Sequence, residues 1–237
     1  MKLNQEKKVM RKGFPEILYE DNHIIIVNKR SSDLVQGDGS GDEPLDDIVR
    51  SYIKQKYRKP GDVFLGVVHR LDRPVSGCVV YARTSKALTR LSELFRTREV
   101  KKTYWAIVTE RPPAEEGTLS NWLKKNEKQN KSYVYATEVK GSKLAELSYR
   151  ILSRSERYYL LEVDLQTGRH HQIRAQLAGA GCPIKGDLKY GAKRSNEGGG
   201  ISLHSRRVSF VHPVRKEEIS AVAPLPEDRI WKLFANV

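Results

Sequence analysis

The stretch Val67-Val-His-Arg-Leu-Asp-Arg-Pro-Val-Ser-Gly77 sets one carboxylate, Asp72, between Arg70 and Arg73 and follows it with a Pro/Ser/Gly turn. Turn residues take charged side chains out of regular structure and into clefts, where binding and catalysis concentrate. A carboxyl group beside fixed positive charge favours its ionised form, which suits a nucleophile or a base and makes a poor proton donor. The same residues also fit a surface ion pair that merely orders a loop.

Two further stretches carry chemistry. Gln166-Thr-Gly-Arg-His-His-Gln-Ile-Arg-Ala-Gln-Leu177 opens on a Thr-Gly turn and continues as a helix, with Ile173 and Leu177 four apart. That spacing puts Arg169 near the helix start and Arg174 more than a turn further on; a basic amphipathic helix against a sheet is the plainer reading. Lys101-Lys-Thr-Tyr-Trp-Ala106 places Tyr104 on a strand, where an aromatic ring either packs or offers a stacking platform for a base. His170 and His171 are adjacent and expected to point apart on a helix, while His69 and His204 are isolated. No Cys/His cluster has zinc spacing, and no Gly-rich phosphate loop precedes a helix, so neither a metal nor a nucleotide cofactor is expected.

These groups need a scaffold. Ile24-Ile-Ile-Val27 reads as a buried strand, and Cys78–Ala82 as the strand fed by the Asp72 turn. Leu45, Ile48, Val49, Tyr52 and Ile53 make one apolar face of a helix running from Pro44 to about Arg58. Thr84 caps a second helix, Ser85–Arg98, with Leu88, Leu91, Leu94 and Phe95 on one side. Further strands are expected at Lys102–Val108, Ser132–Val139, Leu144–Leu152, Tyr158–Leu165, Leu203–Val211 and Glu218–Val222, with a terminal helix at Asp228–Phe234. Arg111–Glu116 reads as a loop, Lys124–Lys131 as a solvated hairpin tip and Lys193–Gly200 as a flexible loop. Strands outnumber helices by about two to one without βαβ alternation, which predicts an α+β fold on a mixed, largely antiparallel sheet. No repeat or linker is visible, so one domain over residues 13–237 is expected behind a basic tail at residues 1–12.

Lys plus Arg total 43 against 29 Asp plus Glu, a net charge of +14. Such an excess favours polyanionic partners, nucleic acid first among them. No apolar run approaches the ~20 residues of a membrane span, and the N-terminal stretch lacks a signal peptide's apolar core. The two cysteines, Cys78 and Cys182, lie in unlike contexts, so a reducing, cytoplasmic setting is expected.

His69-Arg-Leu-Asp-x-x-x-Ser-Gly77 resembles the catalytic signature of the RluA-type pseudouridine synthases, and Gly168-Arg-x-His-Gln-Ile-Arg174 resembles a second motif of that family, continued in register by Cys182-Pro-Ile-Lys-Gly-Asp-Leu-Lys-Tyr190. Lys102-x-Tyr104 and Asn28-Lys29 match shorter motifs. The resemblance runs from about Glu20 to Pro226. It departs at Arg30 (usually Pro), Val75 (Thr), His170 (Thr or Ser), Gln176 (His) and Cys182 (His), and no appended RNA-binding domain is recognised. It implies a bent sheet flanked by helices, a central catalytic cleft, and isomerisation of specific uridines in rRNA or tRNA by an enzyme that flips its target base. No long exposed apolar helix suggests a partner, so a monomer is expected, and the missing cofactor motifs predict no cofactor. Asp72 is implied as the essential carboxylate, Arg169 as its partner, and Tyr104 as the ring beneath the base and help for the C5 proton. Arg70, Arg73, Lys29 and Arg174 are the implied RNA contacts. A catalytically inactive RNA-binding or ribosome-assembly factor on the same scaffold is the second reading.

Overall fold

The run Ile24-Ile25-Ile26-Val27 is apolar at every position because the strand that carries it is covered on both faces, and all four side chains are fully buried. In a computed structural model, which describes residues 13–39 and 41–237, this strand lies near one end of a single sheet. The expected basic tail at residues 1–12 lies outside the described residues.

The strands are β1 (Glu16–Glu20), β2 (Ile24–Lys29), β3 (Gly66–Val67), β4 (Ser76–Ala82), β5 (Lys101–Val108), β6 (Glu116–Asn126), β7 (Lys131–Tyr135), β8 (Lys143–Arg154), β9 (Tyr159–Leu165), β10 (Leu203–Val211) and β11 (Glu218–Val222). They are hydrogen-bonded in the order β1-β2-β4-β10-β5-β9-β8-β6-β7, with β11 added to β10 and β3 to β4. The β4–β10 pair is parallel and the other pairs are antiparallel, so the sheet is mixed and largely antiparallel, as the sequence predicts. Register shifts at Ile17/Tyr19, Ile151/Ser153 and Ser205/Arg207 are the kind of irregularity that bends a sheet.

Helix α1 (Leu45–Lys56) presents Leu45, Val49 and Ile53 to Ile25, Val27, Val79 and Tyr81, and α3 (Gln172–Gly179) adds Ile173 and Leu177 to the same cluster. Helix α2 (Ser85–Arg96) begins at Thr84, whose hydroxyl accepts from the Ala87 amide at 3.1 Å, and packs Ala87 and Leu91 against Ile24, Ile26 and Val80 on the opposite face. Trp231 of α4 (Arg229–Lys232), with Phe234 beyond it, closes over Trp105, Ile107 and Leu160. No helix among the described residues is long and apolar enough to cross a membrane.

One strand was not anticipated and two expectations need correction. Residues 116–126 form the eleven-residue strand β6, although their polar sequence shows no strong alternation; pairing with β8 along its length and with β7 recruits it. The strand expected to reach Val139 stops at Tyr135, before a Val139–Ser142 turn. Helix α3 begins at Gln172, three residues after Arg169, because His171 takes the left-handed conformation (φ 54°, ψ 28°) at its N-cap.

Candidate active site

Asp72 sits in the loop between β3 and β4, with the buried side chains of Leu71 and Val75 as anchors on either side. Val75, the aliphatic departure from the family pattern, packs in the main core cluster. The loop backbone is tied down by Lys29 at the end of β2. That side chain is fully buried, and its ammonium donates to the carbonyls of Arg30 (3.0 Å), Arg73 (3.0 Å) and Val75 (2.5 Å). A buried ammonium needs such acceptors to offset lost hydration. Gly77, which closes the loop, has φ +110°, and a Cβ there would lie 2.3 Å from the Ser205 carbonyl oxygen. The Gly of the signature is thus demanded by the close parallel approach of β4 to β10.

The guanidinium that meets Asp72 belongs to Arg174. Its Nη1 donates to Asp72 Oδ2 at 3.0 Å, while Nε and Nη2 fork onto Asp187 at 2.7 and 2.9 Å. Arg174 and Asp187 are buried, and the Asp72 side chain is 31% exposed. A planar guanidinium can grip one carboxylate bidentately while presenting a further N–H to another; a lysine cannot. The Tyr190 ring lies under the guanidinium, 5.1 Å from its carbon.

The expected Asp72–Arg169 pair is therefore corrected to Asp72–Arg174. Arg169 lines the same cavity, but its Nε donates to the Leu144 carbonyl at 2.9 Å. Arg174 and Lys29 are buried in the protein's own contacts, so neither stands where a phosphate contact was expected. Arg73 is exposed and pairs with Asp42 at 2.6 Å, away from the cavity wall. Arg70 is exposed at the cavity, with no hydrogen-bond partner among the described residues.

Tyr104, on β5, shares the cavity wall with Asp72 and is 7% exposed. Burial pushes its hydroxyl well above the usual phenol range, despite a hydrogen bond with the Ser205 side chain, so it keeps its proton at neutral pH. That favours the ring as a platform over the oxygen as a resident base. His69 stacks on Phe95 (centroids 4.6 Å, 17°) and accepts the Val80 amide at Nε2 (2.9 Å). Burial, and then Lys102, push it down to about 3.

The cavity encloses about 590 Å³. Among the described residues, Asp72 is the one acidic group on its wall, against Arg70, Arg96, Arg98, Lys102, Arg169 and Arg174. Burial, then Arg98, lower the Lys102 ammonium. Crowded cations around one carboxylate fit an anionic ligand.

Sequence reasoning missed His171, Asp187 and Tyr190. His170 and His171 were expected to point apart on a helix. Instead they precede it, and the left-handed turn at His171 stacks the rings face to face (3.8 Å, 22°). His171 Nε2 lies 3.4 Å from Asp72 Oδ2, and burial, then Arg174, push this imidazole down to about 2. The Gly186-Asp187 turn was the available signal for Asp187; nothing in spacing pointed to Arg174 as its partner.

Comparison with known proteins adds an independent line. The family model described as RNA pseudouridylate synthase matches residues 23–179. An uncharacterized RNA pseudouridine synthase of Synechocystis sp. is 32% identical over 214 residues, covering 89% of this chain and 65% of the relative. Ribosomal large subunit pseudouridine synthase C of Buchnera aphidicola is 36% identical over 219 residues, covering 90% of this chain and 68% of the relative. This chain thus spans about two thirds of the length of each. Among solved structures, human RNA pseudouridylate synthase domain containing 4 superposes with a TM-score of 0.78 at 25% identity, covering 93% of this chain and 92% of that one.

Proposed function

The chain belongs to the RluA-type family of RNA pseudouridine synthases, and from that membership we propose that it isomerises uridine to its C5-glycoside within a folded RNA. Uracil is detached from C1′, turned, and rejoined through C5, with no redox change and no net hydrolysis. A stacked base is out of reach of Asp72, so the target nucleotide is flipped into the cavity. About 590 Å³ is ample for a nucleoside.

Asp72 supplies the reactive carboxylate, either attacking C1′ or removing a proton from C2′. Arg174 orients it; Asp187, gripping the far side of the guanidinium, fixes that orientation. Tyr104 presents its ring to the flipped uracil. Arg70, Arg98, Lys102 and Arg169 take the flanking phosphates, and Arg73 is a weaker contact outside the cavity. Ribosomal RNA is the first substrate to try, because a relative is named for the large subunit; tRNA is the second. A cytoplasmic, monomeric enzyme without cofactor completes the reading.

The observation that carries it is the convergence of Asp72, its guanidinium and a buried tyrosine on one basic cavity. A vestigial, purely RNA-binding protein has no need of that set. The test is incubation with unmodified transcripts of ribosomal and transfer RNA, followed by digestion and chromatography of the nucleosides. A pseudouridine peak from either class supports the proposal. RNA binding without any conversion in either would favour the assembly-factor reading.

A further inference from the structure

His171 occupies the N-cap of α3 without capping it. Its side chain makes no hydrogen bond to the helix amides, and its backbone is left-handed at φ 54°. An N-cap side chain ordinarily turns into the helix, and a non-glycine residue at positive φ persists only where its surroundings fix it. Here the ring turns away from the helix, toward Asp72.

The hydrogen atoms around this ring can be assigned from their neighbours. The Ser132 amide donates to Tyr190 Oη at 2.8 Å. A phenol has one proton to give, and among the described residues the acceptor within its reach is His171 Nδ1, 3.0 Å away. Nδ1 is then the acceptor, and in a neutral imidazole the proton resides on Nε2. The ring stays neutral because it is buried and lies in the positive field of Arg174, His170, Lys189 and Lys125, with Asp72 as the acid facing it. His170, stacked at 3.8 Å and held through Ser132 and Asn130, fixes the ring plane.

Resting on the isomerase reading above, we propose that Ser132, Tyr190 and His171 form a positioning chain that delivers an Nε2–H to Asp72 Oδ2, locking the carboxylate so that Oδ1 is the oxygen that faces the sugar. Oδ2 accepts from Arg174 Nη1–H at 3.0 Å and faces His171 Nε2 at 3.4 Å, a contact not yet aligned as a hydrogen bond, while Oδ1 has no hydrogen-bond partner among the described residues. The longer contact is of the kind that tightens when substrate enters. His171 and Tyr190 touch no reacting atom in this scheme; they act through Asp72. The left-handed backbone at His171 is what aims the ring.

Two readouts test this on the full chain. The first is imidazole nitrogen NMR on histidine-labelled protein, with His171 assigned by its loss in His171→Gln. The expected result is a neutral ring protonated on Nε2 that does not titrate between about pH 5 and 8. A ring protonated on Nδ1, or one that titrates in that range, overturns the chain. The second is tritium release from RNA carrying 5-³H-uridine. Tyr190→Phe keeps the ring beneath Arg174 and removes only the directing hydroxyl. It is expected to lower kcat by up to about tenfold, the order of one net hydrogen bond, with KM for RNA little changed. His171→Gln, which can place an amide N–H near the Nε2 position, should retain more kcat than the shape-preserving His171→Phe. A wild-type kcat in Tyr190→Phe, or equal losses in the Gln and Phe variants, also overturns it. No tritium release from the wild type, alongside an Nε2-protonated His171, would instead sink the isomerase reading and leave the positioning chain standing.

Discussion

The floor of the cavity and its rim are built on opposite principles. On the floor, Arg174 and Asp187 are buried and Asp72 is two thirds covered, and the charges answer one another within 3.0 Å. At the rim, Arg70, Arg98, Lys102 and Arg169 have no acidic partner among the described residues, and Arg70 and Arg98 are exposed. A paired, desolvated cluster holds a geometry; cations with no acidic partner wait for a counter-charge. The floor should therefore set the rate of the chemical step and the rim the affinity for RNA. Substitutions that separate kcat from KM test that division.

The largest separation is expected at Asp72. Asp72→Asn keeps the shape and removes the nucleophile or base, so turnover should fall by more than about 10³-fold while the RNA dissociation constant stays within about twofold. Next is Arg174→Lys. A lysine cannot serve Asp72 and Asp187 together, and Asp187 would be left buried and underpartnered. The protein should lose about 3–5 kcal/mol in denaturant unfolding, as for a broken buried pair, and kcat should fall with it. Arg169→Lys, at the position the motif alone suggested, should cost far less on both counts.

Rim substitutions should reverse the pattern. Arg70→Ala or Arg98→Ala should raise KM and flatten the slope of log affinity against log salt by up to about one phosphate's worth each. A rim variant with an unchanged salt slope would remove that residue from the RNA interface.

The smallest effect is at His69, on the wall between the two regions. Burial holds its folded value near 3, below the 6.5 of an exposed imidazole. Above 6.5 both states are neutral and nothing is lost. Below it, the unfolded chain takes up a proton that the folded chain refuses, so stability falls as pH falls. Between about pH 7.5 and about pH 6 the loss attributable to His69 should be just under about 1 kcal/mol. It should disappear in His69→Gln, as read by the denaturant midpoint at the two pH values.

The same contrast explains what could be read from the sequence. Helices α1 and α2 and strands β2, β4 and β5 follow from apolar period and capping residues, because burial imprints period on sequence. The Asp72 loop was legible from its motif. The identity of its partner was not. Placing Arg169 near the start of a helix presumes that the helix begins just after Gly168. The left-handed His171 delays that start, carries Arg174 onto the floor and leaves Arg169 at the rim. A backbone angle set by tertiary contacts leaves no mark in residue spacing. Lys29 was misjudged for a similar reason: a lysine reads as a phosphate ligand until its ammonium is found on three backbone carbonyls. Strand β6, polar and paired through its neighbours, gave no period to read.

The most direct test of the floor–rim division is single-turnover tritium release from 5-³H-uridine RNA, with enzyme titrated to saturation, for Asp72→Asn and Arg98→Ala beside the wild type. The account predicts no release by Asp72→Asn at any concentration, although it binds the RNA. It predicts that Arg98→Ala reaches the wild-type rate once saturated, at a higher enzyme concentration. Release by the Asn variant, or a rim variant that stays slow at saturation, would contradict it.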